Sequence, residues 1–433
     1  MFESKCVMIG LKLNRNSTIV KGGLFSTFSF FNKGLNFILL VIIANFLTPT
    51  EYGSLSLFTT VTMLFGIIIC LSGEGYMNVV YFKKSFEEFQ KNLTCICIIP
   101  CIVVALTLIL LCVANFISNE LFGLKIIEVF YALIVSFFTF YVNLCLDYYR
   151  IKEKIITYGI ISCSFAFANF VLTLLFIILF NTGWHGRVYS LLSSTTLYVF
   201  FALFVFFKNK LFTVSGFSFA TFRTILLWGL PLIPHAASIW LRQGCDRYII
   251  NSHYTMYEVG IFSFALNLAN IMNMIGMAFN SSNSVDIYKS LSNPTEAVLY
   301  RLRGYTKKMI GIYAAISICM VLMVSILIPL VLPNYSNSLS YYYFLVPYGF
   351  LQCVYYLYCN YLFYYGMNKQ IMRITFSTSL IHLLLSYLFT KYSLFFTASI
   401  YTATQLIIVF YLRVMVGKVL KNNVDKYKPH WLL

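Results

Sequence analysis

Apolar runs of about 20 residues, long enough to cross a bilayer, recur along the whole 433-residue chain. In hydrocarbon every backbone N–H and C=O must be satisfied within the protein, so such a chain has two solutions, α-helices or a closed β-barrel. A barrel would show segments of about ten residues alternating in polarity. The runs here are continuous instead, which predicts an all-α polytopic membrane protein of about twelve transmembrane helices. Hydrophobic residues make up 60% of the chain and charged residues 10%, against about 25% charged in soluble domains, which excludes a soluble globular class. The spans are expected near 20–46, 54–80, 93–116, 125–146, 155–180, 188–207, 224–250, 259–285, 309–332, 341–365, 371–390 and 394–416.

The net charge is +17. Its placement alternates from loop to loop, and 25 of the 31 lysines and arginines fall on one side if the N-terminus is assigned there. The positive-inside rule then makes both termini cytoplasmic. Cations spread over many short loops do not form a nucleic-acid patch, so no nucleic-acid partner is expected. Residues 1–19 carry Lys5, Lys12 and Arg15 without a small-residue cleavage site, which reads as the lead into an uncleaved first span. Of twelve cysteines, only Cys95, Cys97 and Cys101 lie close together, with no histidine beside them, so no metal site is expected. There is no nucleotide loop and no catalytic constellation, hence no cofactor and no enzyme activity in this reading.

The turn Thr48-Pro49-Thr50-Glu51-Tyr52-Gly53 resembles Thr255-Met256-Tyr257-Glu258-Val259-Gly260, 207 residues later. Six spans separate the copies, an even number, so two six-helix lobes are related by a parallel pseudo-two-fold along the membrane normal. The expected division is 1–207, a cytoplasmic linker at 208–223, a second lobe at 224–416 and a cytoplasmic tail at 417–433. Cargo sites in such transporters lie between the halves.

Charges inside spans are the functional candidates, since each costs roughly 2.5–3.5 kcal/mol on insertion scales. Span seven holds Arg242, Asp246 and Arg247 beyond Pro231 and Pro234, which should bend it. Arg242 and Asp246 are four apart and share a helical face, so they either pair or leave a cationic lining for an anionic cargo. Lys33 lies on span one, about half a turn from the position that the repeat matches to Arg242. Glu74 could carry a coupling proton, pair with Lys33, or sit where its helix meets water. Asn36, Asn143, Asn169, Gln352, Asn360 and Gln405 are candidates for sugar hydroxyls, with interhelical hydrogen bonds as the plainer reading. The tyrosines at 355–365 suit an interfacial belt first and sugar stacking second.

Leu47-Thr48-Pro49-Thr50-Glu51-Tyr52-Gly53, Gly183-Trp184-His185-Gly186-Arg187-Val188-Tyr189-Ser190, Pro231-Leu232-Ile233-Pro234-His235 and Asp246-Arg247-Tyr248-Ile249-Ile250 follow one another in an order that resembles the Wzx-type oligosaccharide flippases, in the polysaccharide transporter branch of the MOP superfamily. His382 departs from that pattern, where Asn is expected. The resemblance implies a multi-pass protein of the bacterial inner membrane. It would move an undecaprenyl-pyrophosphate-linked repeat unit of O-antigen or capsule from the cytoplasmic to the periplasmic leaflet by alternating access. Membrane lipids and polysaccharide polymerase machinery would be its partners. Lys33, Arg242 and Arg247 are the cations for the pyrophosphate, with arginine suited by its bidentate fork; Glu74 and Asp246 are the coupling or ion-pair candidates. Two alternatives stand beside this. A MATE-like cation-coupled exporter would want acids in its cavity, and an O-antigen polymerase would need a sizeable periplasmic loop.

Overall fold

A computed structural model describes residues 18–71, 73–213, 217–292 and 295–427. Lys5, Lys12, Arg15 and Lys428 of the charge count lie outside the described residues. The chain is helical nearly throughout. The first half comprises α1 (Thr18–Phe46), α2 (Pro49–Cys70), α3 (Gly73–Lys83), α4 (Phe86–Ile117), α5 (Ile126–Ile151), α6 (Ile155–Leu174) and α7 (His185–Lys208). Between α4 and α5 a small hairpin pairs β1 (Glu120–Leu121) with β2 (Leu124–Lys125). The second half comprises α8 (Phe219–Gly229), α9 (Ile233–Gln243), α10 (Cys245–His253), α11 (Met256–Leu291), α12 (Glu296–Val331), α13 (Ser338–Tyr364), α14 (Asn368–Phe389) and α15 (Leu394–Tyr427).

Among the described residues ten helical stretches are long and apolar enough to cross a membrane, eleven with the bent run that contains α8 to α10. The twelfth pass is α13. Its 27 residues reach about 40 Å, long enough to span. Its tyrosines lower its hydropathy, yet Tyr342, Tyr348 and Tyr361 are buried among other helices, so the pass is stabilised by protein rather than by lipid. The outer faces carry large exposed apolar side chains such as Phe116, Leu330 and Phe410, as a lipid-facing surface requires.

Two spans are broken. The expected span two is α2 plus α3, interrupted at Leu71, which adopts a left-handed conformation (φ 42°). Span seven bends by 43° around Leu230–Leu232, where Pro231 and Pro234 remove helix donors, as their positions predicted. The two breaks meet. Gly229 packs on the Leu71 carbonyl with no room for a Cβ. The Trp228 ring lies 5.4 Å from that of Tyr76.

The helices pack mainly within each half, α1 on α6 in the first and α9 on α14 in the second, α2 on α5 and α11 on α13. The halves join along α2 and α11. There the repeated turns face each other. Thr48 and Glu51 form a capping box at the start of α2, and Thr255 and Glu258 form the same box at the start of α11. Gly53 and Gly260, equivalent in the repeat, touch across the pseudo-two-fold. A Cβ on Gly53 would meet the Met256 carbonyl, and one on Gly260 the Pro49 carbonyl. Tyr335 adds a hydrogen bond to Leu47 O at 2.9 Å; burial pushes its phenol well above its ordinary range, so it stays a donor. This end of the bundle, opposite the lysine-rich loops, is therefore sealed.

Candidate functional site

Two cavities lie end to end along α2. The first, about 320 Å³, sits toward the sealed end and is lined by Asn36 of α1, Tyr52, Ser56 and Thr59 of α2, Arg187 of α7, Arg247 of α10 and Asn267 of α11. The second, about 530 Å³, lies toward the basic end between α2, α5 and α9, and carries Thr59, Thr62, Ser136, Thr139, Asn143 and Glu74. Thr59 lines both, so the two spaces adjoin.

Arg247 is held from three sides. Nε donates to Ser263 Oγ (3.2 Å), and Nη1 to Thr60 Oγ1 (2.9 Å) and to Gln243 O (2.7 Å). Arg187 Nη1 donates to Asn169 Oδ1 and, at 2.8 Å, to Thr173 Oγ1. Asn169 is itself fixed by its Nδ2 donating to Ser194 Oγ at 2.9 Å. Among the described residues, neither arginine has a protein hydrogen bond at Nη2. Two guanidinium groups, one from each half, thus share a cavity whose lining includes no acid.

Arg187 precedes the expected start of span six at 188 and so reads from sequence as a loop residue. Its helix begins at His185, one turn earlier than expected, and that turn brings Arg187 to the inner face. The early start follows from packing at 183–186: Gly183 is left-handed (φ 58°), Trp184 is buried, and Gly186 fits against the Ile177 backbone. Asn267, Tyr52 and Ser56 were also missed. They carry no charge, and nothing local marks a neutral polar residue as cavity-facing.

Of the two readings of Arg242 and Asp246, the pair does not form. Four-residue spacing places two side chains on one face only along a continuous helix, and Gly244 breaks this one between α9 and α10. Arg242 donates from Nη1 to Gln405 Oε1 on α15 (2.8 Å). Asp246 is fully buried, with Oδ2 2.8 Å from His382 Nε2 on α14. Among the described residues its other oxygen, Oδ1, is buried without a hydrogen-bond partner. The Tyr401 ring packs edge-on to His382 at 4.8 Å, and Thr404 lies 3.2 Å from His382 Nδ1. His382, the departure from the expected Asn, is therefore the partner of the buried acid.

Lys33 approaches Met277 Sδ of α11 at 3.7 Å, so Lys33 and Arg242 take different partners. Glu74 does not pair with Lys33. The break at Leu71 places Glu74 in the first turn of α3, where it lines the wider cavity with Asn143, with the Asp147–Arg150 ion pair (2.9 Å) nearby. Of the six amides, Asn36 and Asn143 line cavities and Asn169 orients Arg187. Asn360 donates to Asn280 at 2.8 Å, Gln405 accepts from Arg242, and Gln352 contacts Tyr356. Asn360 and Gln405 thus make interhelical bonds, the plainer of the two readings, while Gln352 and Tyr356 lie one turn apart on α13.

Twelve helical passes in two halves with polar cavities between them define the architecture of a membrane transporter. The chain matches the polysaccharide biosynthesis protein family over residues 19–285 and belongs to that family. It is 25% identical over 400 residues to a protein of the Lsg locus of Haemophilus influenzae, covering 90% of this chain and 96% of that one. Its fold is similar to the lipid II flippase MurJ in an inward closed conformation (TM-score 0.71, 16% identity, 91% of this chain and 87% of that one). It is equally similar to an inward-facing multidrug resistance MATE transporter of the MOP superfamily (TM-score 0.70, 14% identity, 98% of each chain).

Proposed function

We propose that the protein is a flippase of the bacterial inner membrane. Its cargo is an undecaprenyl-pyrophosphate-linked oligosaccharide repeat unit of O-antigen or capsule, carried from the cytoplasmic to the periplasmic leaflet by alternating access. The observation that supports this best is the cavity shared by Arg187 and Arg247. Two guanidinium groups in a space lined by no acid suit a pyrophosphate, which arginine binds through parallel hydrogen bonds. A cationic drug would be repelled there, which sets the protein apart from a MATE-like exporter despite the shared fold. The hydroxyl and amide groups of the adjoining cavity suit saccharide, and the apolar outer surface suits a polyprenyl tail left in lipid.

In this reading 1–207 and 224–416 are the two moving bodies, 208–223 links them, and both termini and the tail at 417–433 are cytoplasmic. Lys33 and Arg242, engaged by Met277 and Gln405, meet the anion only once the halves have moved. The intramembrane acids are the coupling candidates: Glu74 in the wider cavity and Asp246 against His382. Polymerase machinery takes the product on the periplasmic side.

The experiment is leaflet-specific detection of the lipid-linked unit in a deletion strain. A flippase predicts that the units stay in the cytoplasmic leaflet, and that the native gene but not Arg247→Ala releases them. Translocated yet unpolymerised units in the deletion strain would identify a polymerase instead.

A further inference from the structure

The two cavities differ in hydrogen-bonding sense. The arginine cavity presents donors. The wider cavity is richer in acceptors, because three of its hydroxyl donors are already committed. Thr59 Oγ1 donates to Ser56 O, Thr62 Oγ1 to Phe58 O, and Ser136 Oγ to the carbonyls of Ala132 and Thr62, each at 2.7–2.8 Å. Asn143 and Glu74 line the same wall. The committed hydroxyls turn lone pairs toward the space, beside the Thr139 hydroxyl, the Asn143 amide and the Glu74 carboxylate. The nearest cation, Arg150, is held by Asp147 at 2.9 Å. The lining positions on α2 run from Tyr52 to Cys70, about 27 Å along the helix axis, so one extended ligand can lie across both cavities.

We infer that Glu74 and Asn143 form a saccharide subsite that selects the cargo by charge, accepting neutral or amino sugars and rejecting sugars that carry a carboxylate. Sugar hydroxyls and amide or ammonium N–H groups are donors and match the acceptor-rich wall. The carboxylate of a uronic acid brings only acceptors and a like charge to Glu74, an arrangement that discriminates against a partner without any steric block. The rejection falls on sugars distant from the pyrophosphate, because the arginines fix that group at the other end of α2. The inference rests on the flippase reading and names the class of its cargo.

The test uses two host strains that each lack their own flippase, one assembling a neutral or N-acetylated repeat unit and one a repeat unit ending in a uronic acid. Surface polysaccharide is quantified against membrane protein level. The native protein should restore the neutral host at least ten-fold better than the acidic one. Glu74→Gln should narrow that ratio several-fold, and Asn143→Asp, which adds a second acid to the same wall, should widen it. Equal restoration of both hosts by the native protein, or a ratio unmoved by either substitution, overturns the subsite. If the native protein restores neither host while present in the membrane, the flippase reading itself fails. Restoration of the neutral host alone upholds that reading, and the ratios then decide the subsite separately.

Discussion

The interiors of the two halves contain similar residues in opposite states. In the first half α2 borders open space, and Glu74, Asn143 and Arg187 face cavities of about 530 and 320 Å³. In the second half the equivalent helix, α11, borders α13, whose tyrosines fill the space. There the polar groups meet one another: Tyr356 with Asn273 (2.6 Å), Gln243 with Tyr348 (2.9 Å), Asn283 with Tyr313 (2.9 Å), Thr306 with Tyr361 (2.6 Å). Polar residues in a membrane protein therefore do not mark a cargo path by their presence alone. What separates a site from a packing network is whether the group still has hydrogen-bonding capacity directed at empty volume.

Arg247 lies on the boundary between these regimes, and its removal carries the largest expected effect. Arg247→Ala should cut surface polysaccharide by roughly two orders of magnitude at unchanged protein level, as expected when one member of a desolvated charge contact is truncated. Arg247→Lys keeps the charge but loses the fork and should fall between. Arg187→Ala should approach Arg247→Ala, whereas substitutions confined to the tyrosine network should not. Full transport by Arg187→Ala would separate the first-half cavity from the cargo.

The next effect belongs to the second half. Asp246 and His382 are both fully buried, so removing either strands the other and should destabilise the protein by about 3–5 kcal/mol. Asp246→Asn with His382→Gln should recover part of that loss in a double-mutant cycle read by thermal unfolding in detergent. Arg242→Ala combined with Asp246→Ala should be additive, because Arg242 bonds Gln405 instead. Strong coupling between Arg242 and Asp246 would restore the four-apart pairing that the break at Gly244 disallows.

The seam between the halves comes third. Gly260→Ala sets a methyl against the Pro49 carbonyl, and α2 and α11 must separate to admit it. Overpacking of this kind costs about 1–3 kcal/mol. Gly34→Ala, which meets nothing within 4 Å among the described residues, is the control and should not lower the melting temperature, since alanine is the better helix former.

These contrasts show why some of the molecule was legible in its sequence. Span count and charge alternation are properties of composition over about 20 residues, and they need no tertiary knowledge. The repeat was legible because each copy is a helix cap, and Thr48/Glu51 and Thr255/Glu258 satisfy their caps locally. Arg187 was hidden because one turn of helix start decides whether it belongs to a loop or to a cavity. The partner of Asp246 was not legible, because it lies 136 residues away and the near neighbour in sequence is across a break. Leu71 interrupts span two in the left-handed conformation, and the Ser72-Gly73 dipeptide that follows it is a turn signal easily passed over inside a long apolar run. The cavities are the least legible of all, since an empty volume is a failure of helices to meet and no residue type encodes it.

The smallest effect is the sharpest check on the idea of a packing network. Tyr361 and Thr306 share a buried hydroxyl–hydroxyl contact of 2.6 Å, and Thr306 also donates to Leu302 O at 2.9 Å within its own helix. Tyr361→Phe therefore leaves no orphaned donor, because the threonine hydroxyl keeps its helical acceptor. Interhelical hydrogen bonds inside membrane proteins average about 0.6 kcal/mol in double-mutant cycles. The variant should lose about that much stability, a shift of a degree or two in melting temperature, with surface polysaccharide unchanged. A transport defect in Tyr361→Phe well beyond its stability loss would mean that the second half also carries cargo contacts, and the contrast between a hollow half and a filled one would no longer describe function.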